Sequence, residues 1–527
     1  MKRIFLVAIF LMSFLQIKAD EGMWLLMLIK RLNGVDMQKE GLHLTPEEIY
    51  SINNSSLKDA IVQFGGGCTA EIVSDKGLLF TNHHCGYGSI AGLSTPEKDY
   101  LNNGFWAKNL QEEIPAPGLS VKFLVRMGDA TERINAKLNN KLSAELRNKI
   151  IEEEYKAIQK ENSANGKYSV VVKDFFNGNE FYYFVYQNFN DVRLVGTPPA
   201  SLGKYGGDTD NWEWPRHTAD FSVFRIYADA NGNPAEYSIN NKPLQPKHSL
   251  PVSIKGVGKG DYTMIMGYPG RTNRYLTSYG ISQLVYGDYP AWVEASKQAM
   301  DVMKKYMDKD HATSLNYASQ YAQVANYWKN RQGTINSVLK NGTIQDKQKV
   351  EKKFQKWANK PENKETYANV LENIKAYYNE VNAKNVEKSY AFQLQRNAKY
   401  ISIAYRLGAF MKTYMEQDEA KKVQLKDKAL SEIDATYEKF NQELETEMLT
   451  QMIGLYQKKV NPNVASETLK NVDTNILNGI ATTSIFANKE SLMAFLNNPN
   501  KEVLEEDKLY QLANYYINDT KNLATKY

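Results

Sequence analysis

Residues 64–90 read FGGGCTAEIVSDKGLLFTNHHCGYGSI. Apolar and β-branched residues lie on both sides of Asp75-Lys76-Gly77, a tripeptide suited to a tight turn. The expected order is therefore strand, turn, strand, and then Thr81-Asn82-His83-His84-Cys85. Cys68 and Cys85 flank this strand pair and are the chain's two cysteines. In an exported protein such a pair reads as one disulfide, because thiols outside the cytoplasm tend to oxidise. Closing so short a loop would contribute about 3 kcal/mol. Zinc is the weaker reading, since no further cysteine or suitably spaced histidine lies nearby.

The ends of the chain set the compartment. Lys2 and Arg3 open a basic start, Ile4 to Ile17 is mostly apolar, and Ala19 offers a small residue for cleavage before Asp20. That pattern predicts a signal peptide over residues 1–19 and export to the periplasm, the cell surface or the medium. The apolar run is short of the ~20 residues that span a bilayer, and no later segment is long and apolar enough, so no membrane span is expected. Removing Lys2, Arg3 and Lys18 leaves 62 bases against 60 acids. A net charge of +2 with no basic stripe excludes nucleic acid as an expected partner. The 527 residues, 42% hydrophobic and 24% charged, suffice for a large core and argue against general disorder.

The character of the chain changes near residue 290. Before residue 300 there are 13 Pro and 27 Gly; after it there are 3 and 5. A turn-rich β region followed by a helical one is the expectation. Leu119, Val121, Phe123 and Val125 alternate at period two, and Phe181–Tyr186 and Phe221–Tyr227 are runs of strand length. Asp229–Pro234 is turn-forming, and residues 131–165 predict a helical excursion. Later, Leu394, Ala398, Ile401 and Tyr405 follow the spacing of one helical face. Helix connections are expected around Lys360-Pro361, Asn461-Pro462-Asn463 and Asn498-Pro499-Asn500.

A general base must be held in orientation to take a hydroxyl proton in the transition state. Trypsin-like proteases place theirs after a strand of the first barrel, as a His followed by a Cys that is bridged to the neighbouring strand. His84 fits that setting because it directly precedes Cys85, whereas His83 would point the other way and act structurally. Asp220 opens an apolar strand, the usual place for the acid that orients a catalytic His. Asp208 and Asp210 are rivals in a Gly-rich turn, where Asp commonly bends the backbone. His217 has no helical His-Glu arrangement beside it, so no metal site is expected.

GMWLL (22–26), FGGGCT (64–69), TNHHCGYG (81–88), PGLSVK (117–122), GGDTDNWEWPRHTADFS (206–222), MGYPGRTNRYLT (266–277) and ANYWKN (325–330) together resemble the bacterial serine dipeptidyl-peptidases of the dipeptidyl-peptidase 7 and 11 type. The resemblance covers essentially the whole mature chain and is strongest before residue 335. It implies a mixed β and α chain: a chymotrypsin-like double-barrel region over 20–285 and an α-helical domain over 286–527 covering the cleft. It implies secreted enzymes that release dipeptides from peptides with free N-termini and use no metal or other cofactor. A second copy of the chain is a candidate partner in a homodimer. Carried over by motif, the base falls on His84 and its orienting acid on Asp220. Recognition of the substrate amine falls on Asn211 and Trp212, joined by either Asn326 or Asn330. The chemistry agrees, since an Asn carbonyl can accept from an ammonium and an indole face attracts a cation. Glu213 and Ala219 depart from relatives that often carry Met and Gly there.

The nucleophile is the missing part. The family's Gly-Asn-Ser-Gly-Ser segment does not occur in this sequence. Gly280-Ile281-Ser282 is followed by Gln283 with no oxyanion nest suggested, and Ser89 comes too soon after His84. The second barrel is therefore expected to be incomplete, and the chain reads as a shortened family member, a fragment or a degenerate copy. Two other readings compete with a dipeptidyl-peptidase: a non-catalytic binder of peptide N-termini, and a trypsin-like endopeptidase or chaperone-protease. The Asp210-Asn211-Trp212 motif argues against the last.

Overall fold

The computed structural model describes residues 23–514, except 33, 140, 177, 271, 272 and 274. The expected signal peptide lies outside the described residues. All strands precede residue 244, and from Ser278 onward the described elements are helices.

The strands are β1 (Ile61–Phe64), β2 (Cys68–Ile72), β3 (Leu78–Thr81), β4 (Phe105–Trp106), β5 (Ile114–Pro115), β6 (Val121–Asp129), β7 (Ser169–Phe175), β8 (Glu180–Phe189), β9 (Val192–Thr197), β10 (Ser222–Ala228) and β11 (Lys242–Pro243). They form one antiparallel sheet in the order β4-β9-β10-β3-β2-β1-β6-β8-β7, with β5 on β9 and β11 on β10. The three glycines after Phe64 make the turn that pairs Phe64 with Cys68. At the Asp75-Lys76-Gly77 turn, Ser74 Oγ accepts from the backbone N–H groups of Lys76 and Leu78. Both β1 and β3 alternate one buried and one partly buried residue, as a sheet with a single core face should. β10 lies between β3 and β9 and is buried on both faces, with a helix packed on it. Val62, Phe64, Ile72, Leu79, Leu194, Phe224 and Ile226 form the centre of this core.

The period-two expectation holds for Leu119, Val121 and Phe123, which face one core, and breaks at Val125. In β6 it is Val121, Leu124 and Met127 that are buried. The ladder with β8 slips between Leu124 and Arg126, and this bulge moves every later side chain to the other face.

The helices that position the site are α1 (His83–Leu93), α2 (Ala144–Asn162), α3 (Tyr289–Met307), α4 (His311–Lys340), α5 (Val370–Asn397), α6 (Lys399–Met415) and α7 (Gln442–Lys459). α2 is the expected excursion. α3 packs on α4, α5 and α7 around a core that includes Ala295, Met303, Tyr317, Leu394, Met448 and Tyr456. The face read through Leu394, Ala398, Ile401 and Tyr405 belongs to two helices. Ala398 has φ −88° and ψ 102°, which ends α5, and the Lys399 N–H donates at 2.9 Å to the buried Glu445 carboxylate. α4 is shared between the two halves: Leu315 and Ala318 lie in the sheet's core, and Tyr317, Val324 and Ala325 in the helical one. It also packs directly against α1. Among the described residues no helix is long and apolar enough to cross a membrane.

Candidate active site

His84 sits in the first turn of α1, whose N-cap is Asn82. First-turn N–H groups have no acceptor within their helix, and Asn82 offers no side-chain cap. Asp220, arriving just before β10, takes that role. Its Oδ1 accepts the His84 backbone N–H at 3.0 Å and its Oδ2 lies 2.7 Å from His84 Nδ1. Asn82 Nδ2 donates to the same carboxylate at 3.2 Å and to the Asp220 carbonyl at 3.1 Å. Burial acts to raise the Asp220 carboxyl, but the hydrogen bonds from the His84 ring and backbone outweigh it and hold the group below the usual aspartate range. A carboxylate at Nδ1 fixes the proton there and leaves the lone pair on Nε2. The His84 side chain is 69% exposed.

His83 is its opposite. The ring is buried, and its Nδ1 lies 3.1 Å from Thr197 Oγ1. The Thr197 hydroxyl donates to the Pro198 carbonyl, so His83 Nδ1 is the donor in this pair. Burial pulls its pKa down to about 4, and the ring is neutral near pH 7. Gly203 passes so close that a Cβ there would come within 2.6 Å of the imidazole.

Two features hold α1 in place. Cys68 at the start of β2 is bridged to Cys85, with Cα atoms 6.0 Å apart, so the residue after His84 is tied to the sheet. Gly86 faces β10, where a Cβ would meet Ser222 Oγ at 2.7 Å and Phe224 at 3.0 Å. Cys68, His84 and Cys85 cluster within 4.8 Å, but the sulfurs are spent on each other and offer no thiolate to a metal.

A second group of side chains lies on the loop before β10. Trp212 has φ +60°, a left-handed conformation that costs on the order of 1–3 kcal/mol outside glycine, and its side chain is exposed. Trp212 Nε1 and Asn211 Nδ2 both donate to Asn326 Oδ1 at 3.0 Å. Arg216 Nη1 donates to Asn211 Oδ1 at 3.2 Å, and Glu213 pairs with Lys329 at 3.1 Å. The structure therefore brings Asn326 to Asn211 and Trp212. Asn330 turns away, its Oδ1 accepting from Arg331 at 3.2 Å. Asp208 pairs with Lys204, and neither it nor Asp210 hydrogen-bonds to His84. Sequence reasoning missed Asn82, Thr197, Arg216 and Lys329; only Lys329, one helical turn from Asn326, carried a signal, as a base available to Glu213.

Among the described residues no serine hydroxyl is hydrogen-bonded to His84. Ser89 lies inside α1, and Ser282 lies inside the helix Ser278–Gln283.

Comparison with known proteins adds the lineage of this arrangement. The family model described as Peptidase S46 matches residues 19–527. A dipeptidyl-peptidase 7 of Capnocytophaga gingivalis is 49% identical over 512 residues, which are 96% of this chain and 72% of the relative. An Asp/Glu-specific dipeptidyl-peptidase of the same organism is 38% identical, with the same shares of the two chains covered. The crystal structure of Porphyromonas endodontalis DPP11 in complex with the dipeptide Arg-Glu superposes with a TM-score of 0.81 at 30% identity, covering 96% of this chain and 74% of that one.

Proposed function

The chain belongs to the peptidase S46 family, and on that premise we propose an exported serine-type dipeptidyl-peptidase in which His84 is the general base and Asp220 its orienting acid. Relatives matched over nearly the whole chain are dipeptidyl-peptidases, and peptides are the substrates that fit. The observation that carries the residue roles is the double grip of Asp220 on His84, one oxygen on the backbone N–H and one on Nδ1. In this reading His84 Nε2 takes the proton of a serine hydroxyl as it attacks the scissile carbonyl. Asp220 stabilises the imidazolium, and the same proton then passes to the leaving amine.

A dipeptidyl-peptidase must count two residues from a free amine. Asn211 Oδ1 is the acceptor for that ammonium, the exposed Trp212 adds cation attraction, and Asn326 Oδ1, which accepts from both side chains, fixes their orientation. Arg216 holds Asn211 Oδ1 in the absence of substrate. Because α4 carries Asn326 and also packs on α1, the amine anchor and the base are parts of one packed unit. That packing supports a fixed two-residue spacing.

The finer architecture in this reading is chymotrypsin-like over 20–285 with a helical domain over 286–527. Support comes from the base in the helix that follows β3, its bridged neighbour and the acid at the head of β10, in the order His before Asp. The composition of residues 1–19 supports export. A base and its orienter do not cut without a nucleophile. The serine segment expected for the family is not among the 527 residues, so the chain taken alone binds peptide amines without turnover. The test is a dipeptidyl reporter assay beside calorimetry with free and N-acetylated peptides. Binding that needs the free amine supports the reading, and equal affinity for the acetylated peptide contradicts it.

A further inference from the structure

Two arginines in the helical half have no acidic partner among the described residues. Arg331 on α4 and Arg396 on α5 both stack on the same rings: the Arg331 guanidinium carbon lies 5.4 Å from the Trp292 centroid and 5.8 Å from that of Tyr327, and the Arg396 carbon 5.3 and 4.5 Å. Tyr289 takes Arg331 at 4.5 Å. Arg331 Nη1 donates to the Tyr289 hydroxyl and to Asn330 Oδ1. Its Nε is buried without an acceptor, and so is Arg396 Nη1. No ion pair involves either residue among the described residues, and Arg396 donates no hydrogen bond there. The acids of the adjoining helices are engaged elsewhere, Asp288 with Gln283 and Ser389, and Glu294 with Tyr390 and Lys459.

This is an unfavourable arrangement for two neighbouring cations. Burial and the neighbouring Arg331 charge both disfavour the charged Arg396, though a guanidinium stays protonated. A buried N–H without an acceptor costs about 1–3 kcal/mol. The aromatic walls recover part of that through cation–π contact but supply no hydrogen-bond acceptor. An oxyanion would accept from both forks, neutralise the repulsion and leave the ring contacts intact. The rim is open, since Tyr327 and Phe392 are both exposed.

We propose that Arg331 and Arg396, walled by Tyr289, Trp292 and Tyr327, form a binding site for a carboxylate or phosphate group, separate from the amine site on the neighbouring face of α4. The site does not depend on the peptidase reading, and neither does its test. Calorimetry on the purified chain, at constant ionic strength in a chloride background, measures inorganic phosphate in one arm and glutarate in the other. Saturable one-to-one binding of either is expected, and the arm that binds names the source of the oxyanion. Arg396→Gln should weaken it about tenfold or more, and Arg396→Lys should weaken it less. Each variant is first checked by circular dichroism, and protection of the wild-type chain against heat by the same anion gives a readout that needs no variant. No binding above chloride in both arms, or unchanged affinity in folded Arg396→Gln, overturns the proposal.

Discussion

Two stretches of the β-rich half carry similar sequence signals and end differently. Residues 61–81 fold into three strands in which Val62, Phe64, Ile72 and Leu79 are buried. Residues 250–270 hold Val252, Ile254, Val257 and Ile265 at comparable apolar density, yet no strand forms there and all four are exposed. The second stretch is pinned at its ends: the Leu250 N–H donates to the Ile72 carbonyl, and the Tyr268 N–H to Thr69 Oγ1, both at 2.8 Å. Between these points no ladder partner is present among the described residues. Strand propensity is a statement about fitting a pleated, half-buried surface, and it is realised only where that surface exists. The stretch around His84 has that surface, and with it come the rigid dyad, the disulfide and the buried neutral His83.

The largest expected effect concerns turnover. If the dyad stretch is complete and the nucleophile is missing, the 527-residue chain should neither react with a fluorophosphonate nor cleave a dipeptidyl reporter. In subtilisin, a worked case, loss of the serine lowers turnover by about 10⁶. Stoichiometric labelling with activity abolished by His84→Ala would place a nucleophile among serines excluded here.

Stability should divide the two stretches as well. Reducing the Cys68–Cys85 bridge is expected to cost about 3 kcal/mol in denaturant unfolding. A pH scan separates a further contribution. His83 has a folded pKa of about 4 against an ordinary 6.5, so the unfolded chain binds the extra proton first. Stability from this group is complete above pH 6.5 and is lost as the pH falls toward 4, by about 3 kcal/mol at most. Asp220, also depressed, adds loss in the same direction below the ordinary carboxylate range. His83→Asn should flatten the upper part of that acid limb, and an unchanged limb would contradict the burial argument.

Smaller effects sharpen the contrast. Asn211→Ala should weaken peptide binding by roughly 1.5–3 kcal/mol, the worth of a hydrogen bond to a charged group. Backbone amides of residues 252–265 should exchange with solvent far faster than those of β1–β3 and β10, because they lack ladder acceptors. Equal protection of the two stretches would mean that the second has found a partner.

Much of the site was legible because its signals are local. The turn between β2 and β3, the His84-Cys85 pair and Asp220 at the head of a strand are all adjacent in sequence to the elements that hold them. What escaped reading depends on partners far along the chain. The break at Ala398 is set by Glu445, and the bulge in β6 shows only through its register with β8. That Asn326 rather than Asn330 meets Asn211 and Trp212 follows from the rotation of α4 and from Arg331, which draws Asn330 aside. Spacing alone places both asparagines on one helical face and cannot separate them.

The central claim, that Asp220 holds His84 with its proton on Nδ1 and its lone pair on Nε2, can be read without any nucleophile. Nitrogen-15 NMR of the chain labelled at its six histidines distinguishes the two ring tautomers at neutral pH. The account predicts that His84 is the Nδ1–H form in the wild-type chain and loses that preference in Asp220→Ala, while His83→Asn leaves it intact. An Nε2–H tautomer at His84, or a tautomer indifferent to Asp220→Ala, would contradict it.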